Sequence, residues 1–470
     1  MAMTKEERDE SKIEVDVTVY GATGFVGKHV CRYLLDAAAV ESQPLRISLA
    51  GRDQAKLEAR KDSLDAKDSS LDVFVADSND LSALKKMTER TRVVVNCAGP
   101  FIKYGSNVVA ACADQGTDYV DITGEITWAG QMRAVYGPQT RKSGARIISL
   151  CGFDSIPSDI SIFAAVQALR QSMVSEIDIE NGRTWYSAFG LANGGTLHSA
   201  LEFPIDLHHW LMFKEGDELS VRKVPFLVDD PMVLTHPSLV RHNPDYKDLK
   251  NKMAANEWKN QLPSLDSIVG RGMSIPFFMA PVNAKVVCAS AVALNYGPHF
   301  TYSERFLPVG FRWTRTLGML SAIPALIFQA FLFAGCLLFM LPVIGQKLAD
   351  LLLPPGTGAP DSVLDSGYAQ VYAEVTTKAE GDRVNRATCF VSFHGDPGNL
   401  VTAQCVGEAA LSLVHNRSEL PARSEDGFGT PAELLGPVLL KRLQQSKIRG
   451  VKVVTKVTRN APMHETHVFM

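Results

Sequence analysis

The chain is poor in the usual markers of metal, disulfide and nucleic-acid chemistry. None of its eight cysteines forms a CxxC pair, and Cys97, Cys112 and Cys151 lie in apolar stretches. They read as reduced core residues of a reducing compartment rather than a disulfide frame. The eleven histidines form no HExxH or paired ligand spacing, so no metal site is predicted, and His208-His209 reads as a surface pair. A net charge of −3 gives no electrostatic footprint for nucleic acid, and no nucleic-acid partner is expected. The charged start Met1-Ala-Met-Thr-Lys-Glu-Glu-Arg8 lacks an apolar run, so no signal peptide is expected. His467-Val-Phe-Met470 carries no addressing signal, and internal repeats are lacking. The 470 residues, 46% hydrophobic and 21% charged, suit two or three globular domains.

Three glycines stand out against this background. Val15, Val17 and Val19 favour a strand, Gly21-Ala-Thr-Gly-Phe-Val-Gly27 follows, and Val26, Val30, Leu34 and Leu35 recur at helical spacing. A glycine turn between strand and helix lets backbone N–H groups approach a pyrophosphate, aided by the helix dipole. Gly21, Ala22, Thr23, Gly24, Phe25, Val26 and Gly27 are the predicted cofactor-binding turn; an ordinary tight turn is the bland alternative. A second strand, Leu45 to Ala50, ends in Gly51-Arg52, where an NAD site usually carries an acid. Arg52 suits a 2′-phosphate, so NADP(H) is favoured and NAD(H) stays compatible; the alternative is that Arg52 caps or solvates the next helix.

Further strands are predicted at Leu71 to Ala76, Arg92 to Cys97, Tyr119 to Ile122 and Arg146 to Leu150. Their alternation with helices predicts a doubly wound parallel sheet. Asp77, at the end of the third, can contact an adenine or cap the helix begun by Asp77-Ser-Asn-Asp80. Ala98, Gly99 and Pro100 follow the fourth, beside the expected nicotinamide ribose. Tyr104, close behind, reads as a proton donor or substrate contact, or as a packed tyrosine. Asp121 and Glu125 read first as caps of the helix around Thr127 to Met132. Asp154, in Cys151-Gly-Phe-Asp-Ser-Ile-Pro-Ser-Asp159, is the second catalytic candidate; with Ser155 it also suits a helix cap, and Pro157 suits the first turn. Gly190-Leu-Ala-Asn-Gly-Gly-Thr196 reads as a pocket loop or a turn.

With Cys97-Ala-Gly-Pro-Phe-Ile-Lys-Tyr-Gly105, Tyr119-Val-Asp-Ile-Thr-Gly-Glu125, Gly152-Phe-Asp-Ser-Ile-Pro157, Gly407-Glu-Ala-Ala-Leu-Ser-Leu413 and Gly429-Thr-Pro-Ala-Glu433, the chain resembles the saccharopine dehydrogenase-like oxidoreductases, relatives of trans-acting enoyl reductases. The resemblance is strongest over 15–160. It implies a Rossmann domain, an inserted α+β domain and an NAD(P)-linked redox role. It also implies a place in lipid metabolism, since several members are associated with membranes and lipid droplets and the enoyl reductases act in lipid or glycolipid synthesis. The expected layout is a charged tail at 1–14, a Rossmann domain at 15–160, and an α+β domain for substrate binding and dimerisation at 161–315 and 360–415. A hydrophobic segment at 317–345 and a helical return and tail at 416–470 complete it, the stretch with Gly429-Thr-Pro431 returning to the Rossmann domain.

Met319 to Ile344 holds no charged residue, with Arg305, Arg312 and Arg315 before it and Lys347 after. Its length matches a hydrocarbon core, which takes about 20 apolar residues. Strands are expected at Val371 to Thr377 and Thr388 to Phe393 across a charged turn at Gly381-Asp382, and another at Ala284 to Ala293. If these share one sheet, both flanks of the segment stay on one side of a membrane. Pro324, Gly335 and Pro342 offer bend points. The expectation is an interfacial helix or hairpin inserted from the cytosolic face of a membrane or lipid droplet. The expected function is NADPH-preferring hydride transfer to or from a lipid-linked substrate. The rivals are a saccharopine-type amino-acid dehydrogenase, disfavoured because Arg183 is the only arginine between Arg170 and Arg222, and a catalytically silent nucleotide-binding scaffold.

Overall fold

The computed structural model describes residues 10–41, 44–64, 71–190, 233–236, 238–239, 263–266, 272–339, 347, 350–352, 354 and 356–462. The expectations for residues 191–196, His208-His209 and the extreme termini lie outside them. Six parallel strands form the first sheet: β1 (Val15–Tyr20), β2 (Ile47–Gly51), β3 (Asp72–Val75), β4 (Thr91–Asn96), β5 (Asp118–Asp121) and β6 (Ile147–Ile148). Their order, β3-β2-β1-β4-β5-β6, is the doubly wound one. Helices α1 (Phe25–Val40), α2 (Gln54–Ser63), α3 (Leu81–Glu89), α4 (Phe101–Tyr104), α5 (Ser106–Gln115) and α6 (Ile126–Ser143) fill the crossovers.

The valine runs are explained by burial on both faces. Val17, Val19, Val93 and Val95 pack with Val30 and Leu34 of α1 on one side. Tyr20, Val94 and Tyr119 pack with Val108, Val109 and Cys112 of α5 on the other. The order reverses at β1, which pairs with β2 on one side and β4 on the other, the switch point at whose carboxyl end doubly wound sheets bind their ligands. Two late segments complete this half. After the short α11 (Asp361–Ser366), helix α12 (Thr402–His415) lies against α1, where the Tyr33 hydroxyl donates to Glu408 Oε1 at 2.6 Å. Phe428 forms a parallel bridge with Ile147 at the sheet edge.

The second sheet has seven strands: β7 (Ile179–Phe189), β8 (Ser264–Asp266), β9 (Gly272–Pro276), β10 (Thr301–Phe306), β11 (Tyr368–Thr377), β12 (Arg383–His394) and β13 (Lys452–Pro462). They run in the order β13-β12-β11-β7-β10-β9-β8. Helix α7 (Ile156–Ser172), buried along most of its length, packs on β11 and β12. One expectation fails here. Ala284 to Ala293 is not a strand but the body of helix α8 (Ala280–Ala293), with Pro281 in its first turn. Residues 282–291 are all buried, the polar Asn283, Lys285 and Ser290 included, so the helix shows no polar, solvent-facing side by which periodicity could separate it from a strand.

The uncharged run begins with a short 3-10 turn (Gly318–Ser321) after α9 (Gly310–Leu317) and continues as α10 (Ala322–Phe339); residues 340–346 lie outside the described part. Among the described residues no helix is long and apolar enough to cross a membrane. Strand β10 before the run and β11 and β12 after it share the second sheet.

Candidate active site

The glycine turn joins β1 to α1 at the point where the strand order reverses. Gly21 has φ +82°, and a Cβ there would stand 2.8 Å from Ala98 N, so the turn lies directly against the loop after β4. Gly24 N donates to Gly21 O at 3.0 Å and closes the turn. Gly27, in the first turn of α1, lies so close to Gly21 that its Cβ would meet Gly21 O at 2.3 Å. Gly24 is the N-cap of α1, with no side-chain cap and no acid in the first turn. A cradle that side chains would fill, below an uncapped helix N-terminus, fits a dinucleotide pyrophosphate.

Across β1 from the loop after β4, Arg52 is exposed at the end of β2. It does not cap α2: Asp53 does, accepting from Lys56 N at 3.1 Å. Asp77 does not cap α3 either; its Oδ1 accepts from Asn79 N and Nδ2, while Asp80 caps the helix through Ala83 N at 3.0 Å. Tyr20 shares this corner, its hydroxyl donating to Ala76 O at 3.2 Å, and burial with the nearby Asp77 charge lifts its pKa to about 12. Arg52, Asp77 and Tyr20 are thus brought together beside the glycine turn, Arg52 being the exposed cation.

In the loop after β4, Asn96 Oδ1 accepts from Ala98 N at 2.9 Å, and Asn96 Nδ2 donates to the Tyr119 hydroxyl at 3.1 Å. Pro100, joined to Gly99 by a cis peptide, is the N-cap of α4. Its helix is held by a residue 24 positions later: Glu125 accepts from Phe101 N at 2.8 Å and Ile102 N at 2.7 Å. Glu125 therefore occupies the N-terminus of α4, beyond its backbone place at the start of α6. Asp121 is fully buried and caps no helix. It accepts from Thr123 N, Leu150 N and the Ser149 hydroxyl, tying the ends of β5 and β6 together. Burial still raises its pKa to about 6. Tyr104 is half-buried on α4.

Asp154 lies in the loop between β6 and α7, and burial alone raises its pKa to about 6. No hydrogen bond joins it to Tyr104 among the described residues, so the structure does not bring the two catalytic candidates together. Ser155 stands at the N-cap of α7 but turns its hydroxyl to Asn283 Oδ1 at 2.9 Å instead of capping. Asn283 continues to Glu304, whose Oε1 accepts from Asn283 Nδ2 and Oε2 from the Tyr302 hydroxyl, both at 2.8 Å. Burial lifts Glu304 to about 7, and the neighbouring Asp154 charge adds to the rise. Glu304 was not foreseen: it is a strand residue whose partners are scattered over α7, α8 and β10.

An open glycine cradle and an arginine at the end of β2 are the parts of an NADP-binding oxidoreductase. Residues 17–146 match the saccharopine dehydrogenase NADP-binding domain. A Mycobacterium tuberculosis protein named among the trans-acting enoyl reductases is 33% identical over 441 residues, covering 92% of this chain and 95% of its own. A trans-acting enoyl reductase of Mycobacterium ulcerans is 28% identical, covering 93% and 97%. The chain belongs to this family of saccharopine dehydrogenase-like oxidoreductases, and NADP(H) is its preferred cofactor. A saccharopine dehydrogenase (L-Glu forming) from Saccharomyces cerevisiae matches 94% of this chain and 100% of its own at 13% identity, with a TM-score of 0.46.

Proposed function

We propose that the protein reduces an activated carbon–carbon double bond of a lipid-linked acyl substrate with NADPH, at the cytosolic surface of a membrane or lipid droplet. The observation that carries the reading is the glycine cradle set against the loop after β4, with the Asp154 loop leaving β6 at the same edge of the parallel sheet; the names of the relatives supply the reaction class. In this reading the turn from Gly21 to Gly27 holds the pyrophosphate, Arg52 the 2′-phosphate, and Ala98-Gly99-Pro100 seats the nicotinamide ribose. When bound, the reduced nicotinamide supplies a hydride for the β-carbon. Asp154 delivers a proton to the α-carbon, which a carboxyl with a pKa of about 6 can do near neutrality. Tyr104 contacts the substrate.

The surface of α10 supports the lipid half. Ile323, Ile327 and Phe331 are 62%, 66% and 75% exposed, and Met319, Leu320 and Trp313 extend the patch beside exposed Arg312 and Arg315. A tryptophan and arginines rimming an apolar helix suit an interfacial position. Because β10 and β11 share a sheet, such a helix enters and leaves from one side.

The test is NADPH oxidation by detergent-solubilised protein with trans-2-enoyl thioesters of increasing chain length. Turnover is expected, with Asp154→Asn losing the limb of the pH profile near pH 6. Bound NADPH that no enoyl thioester oxidises would refute the reductase reading. Co-flotation with anionic vesicles that survives Ile323→Asp, Ile327→Asp and Phe331→Asp together would refute the surface reading.

A further inference from the structure

Arg60 touches the glycine turn from below. Helix α2 is anchored by Leu57, fully buried under Gly51, and Leu64, fully buried at its C-cap. Leu57, Arg60 and Leu64 fall at i, i+3 and i+7 and share one face of the helix. That face aims the Arg60 guanidinium at β1–α1: Nε donates to Ala22 O at 3.2 Å and Nη2 to Thr23 O at 3.1 Å. Each contacted carbonyl belongs to a planar trans peptide whose N–H points the opposite way. Fixing the Ala22 carbonyl inward therefore turns Thr23 N–H outward, to the phosphate side. The cation is half-buried, and among the described residues no carboxylate pairs with it.

We propose that Arg60 is the positioning residue of the phosphate-binding turn: its fork sets the Thr23 N–H that receives the pyrophosphate and, through the Thr23 carbonyl, the Gly24 N–H that closes the turn on Gly21 O, and its charge draws the anion in. The proposal rests on the nucleotide-binding reading of the turn. It divides labour within one segment: Arg52, just before α2, selects the 2′-phosphate, whereas Arg60, within α2, serves any dinucleotide.

Arg60→Met keeps the stem and removes the donors and charge; Arg60→Lys keeps the charge without the fork. In nucleotide-free protein, amide exchange of the segment 20–27 should accelerate about tenfold in Arg60→Met, and less in Arg60→Lys, with α5 unchanged. Dissociation constants for NADPH and NADH should rise by the same factor, about tenfold or more, with partial rescue by lysine. Unchanged exchange together with unchanged affinity in Arg60→Met overturns the proposal. So does a loss confined to NADPH, which would make Arg60 a 2′-phosphate contact, or equal melting losses in both variants without any affinity change. If the unaltered protein binds neither nucleotide, the exchange experiment still decides the role of Arg60, and the nucleotide reading falls by itself.

Discussion

Gly27→Ala should damage nucleotide binding far more than Gly24→Ala, although the two glycines look equivalent in the motif. A Cβ on Gly27 would lie 2.3 Å from Gly21 O, 3.0 Å from Ala22 Cα and 3.1 Å from Gly21 C, all backbone atoms. Relief needs a shift of about 1 Å, because packed carbon and oxygen approach no closer than roughly 3.3 Å. Gly21 has little room to yield, since it rests on the loop after β4 and accepts from Gly24 N. Helix α1 must then move, against the fully buried Val30 and Leu34. Overpacking of this kind costs roughly 1–3 kcal/mol of stability. Displacing the N–H groups by about 1 Å should cost roughly 100-fold in affinity, or about 2.7 kcal/mol. A Cβ on Gly24 meets only Gly21 O, at 3.2 Å, and its φ of −69° suits alanine, so its loss should stay below about tenfold. Calorimetric titration with NADPH, alongside thermal melts, measures both variants. Equal affinities in the two would refute the close-approach reasoning.

Arg52→Ala should weaken NADPH by roughly 10- to 100-fold, the worth of a charge-assisted bond, and leave NADH nearly unchanged; equal losses would remove the 2′-phosphate assignment. Glu304 makes stability depend on pH. Its proton is held more tightly folded, at about 7, than at the ordinary 4.5, so its contribution is full below pH 4.5 and is lost as pH rises to about 7. At about 1.4 kcal/mol per unit the loss is at most roughly 3 kcal/mol. Melts at pH 5 and 8 should show it, and Glu304→Gln should flatten the difference; an unchanged difference in the variant would refute the assignment.

The first half was legible because its signals are local. Valine runs buried on both faces and a glycine turn between strand and helix each act within about a dozen residues, and Arg52 stands where its strand ends. The readings that failed depend on distant partners. Ala284 to Ala293 shows no polar, solvent-facing side because α8 is covered all round through Ala291, Lys285 and Ser290 included. Glu125 caps a helix 24 residues upstream, Ser155 reaches Asn283, and Arg60 sits in the charged run Gln-Ala-Lys-Leu-Glu-Ala-Arg-Lys. A faint sign of Arg60 was present in its spacing from Leu57 and Leu64.

The late arrival of α12 and Phe428 sets an order of events during synthesis. All six strands of the first sheet have left the ribosome by Ile148, but the helix that lies on α1 and the residue that bridges the sheet edge follow more than 250 positions later. Until then Tyr33 lacks Glu408 and the outer strand lacks its neighbour. The nascent first half carries an uncovered apolar face while the second sheet and the uncharged run are still being made. A chain that stops near residue 400 holds every nucleotide-contacting residue proposed above and still lacks the piece that seals them.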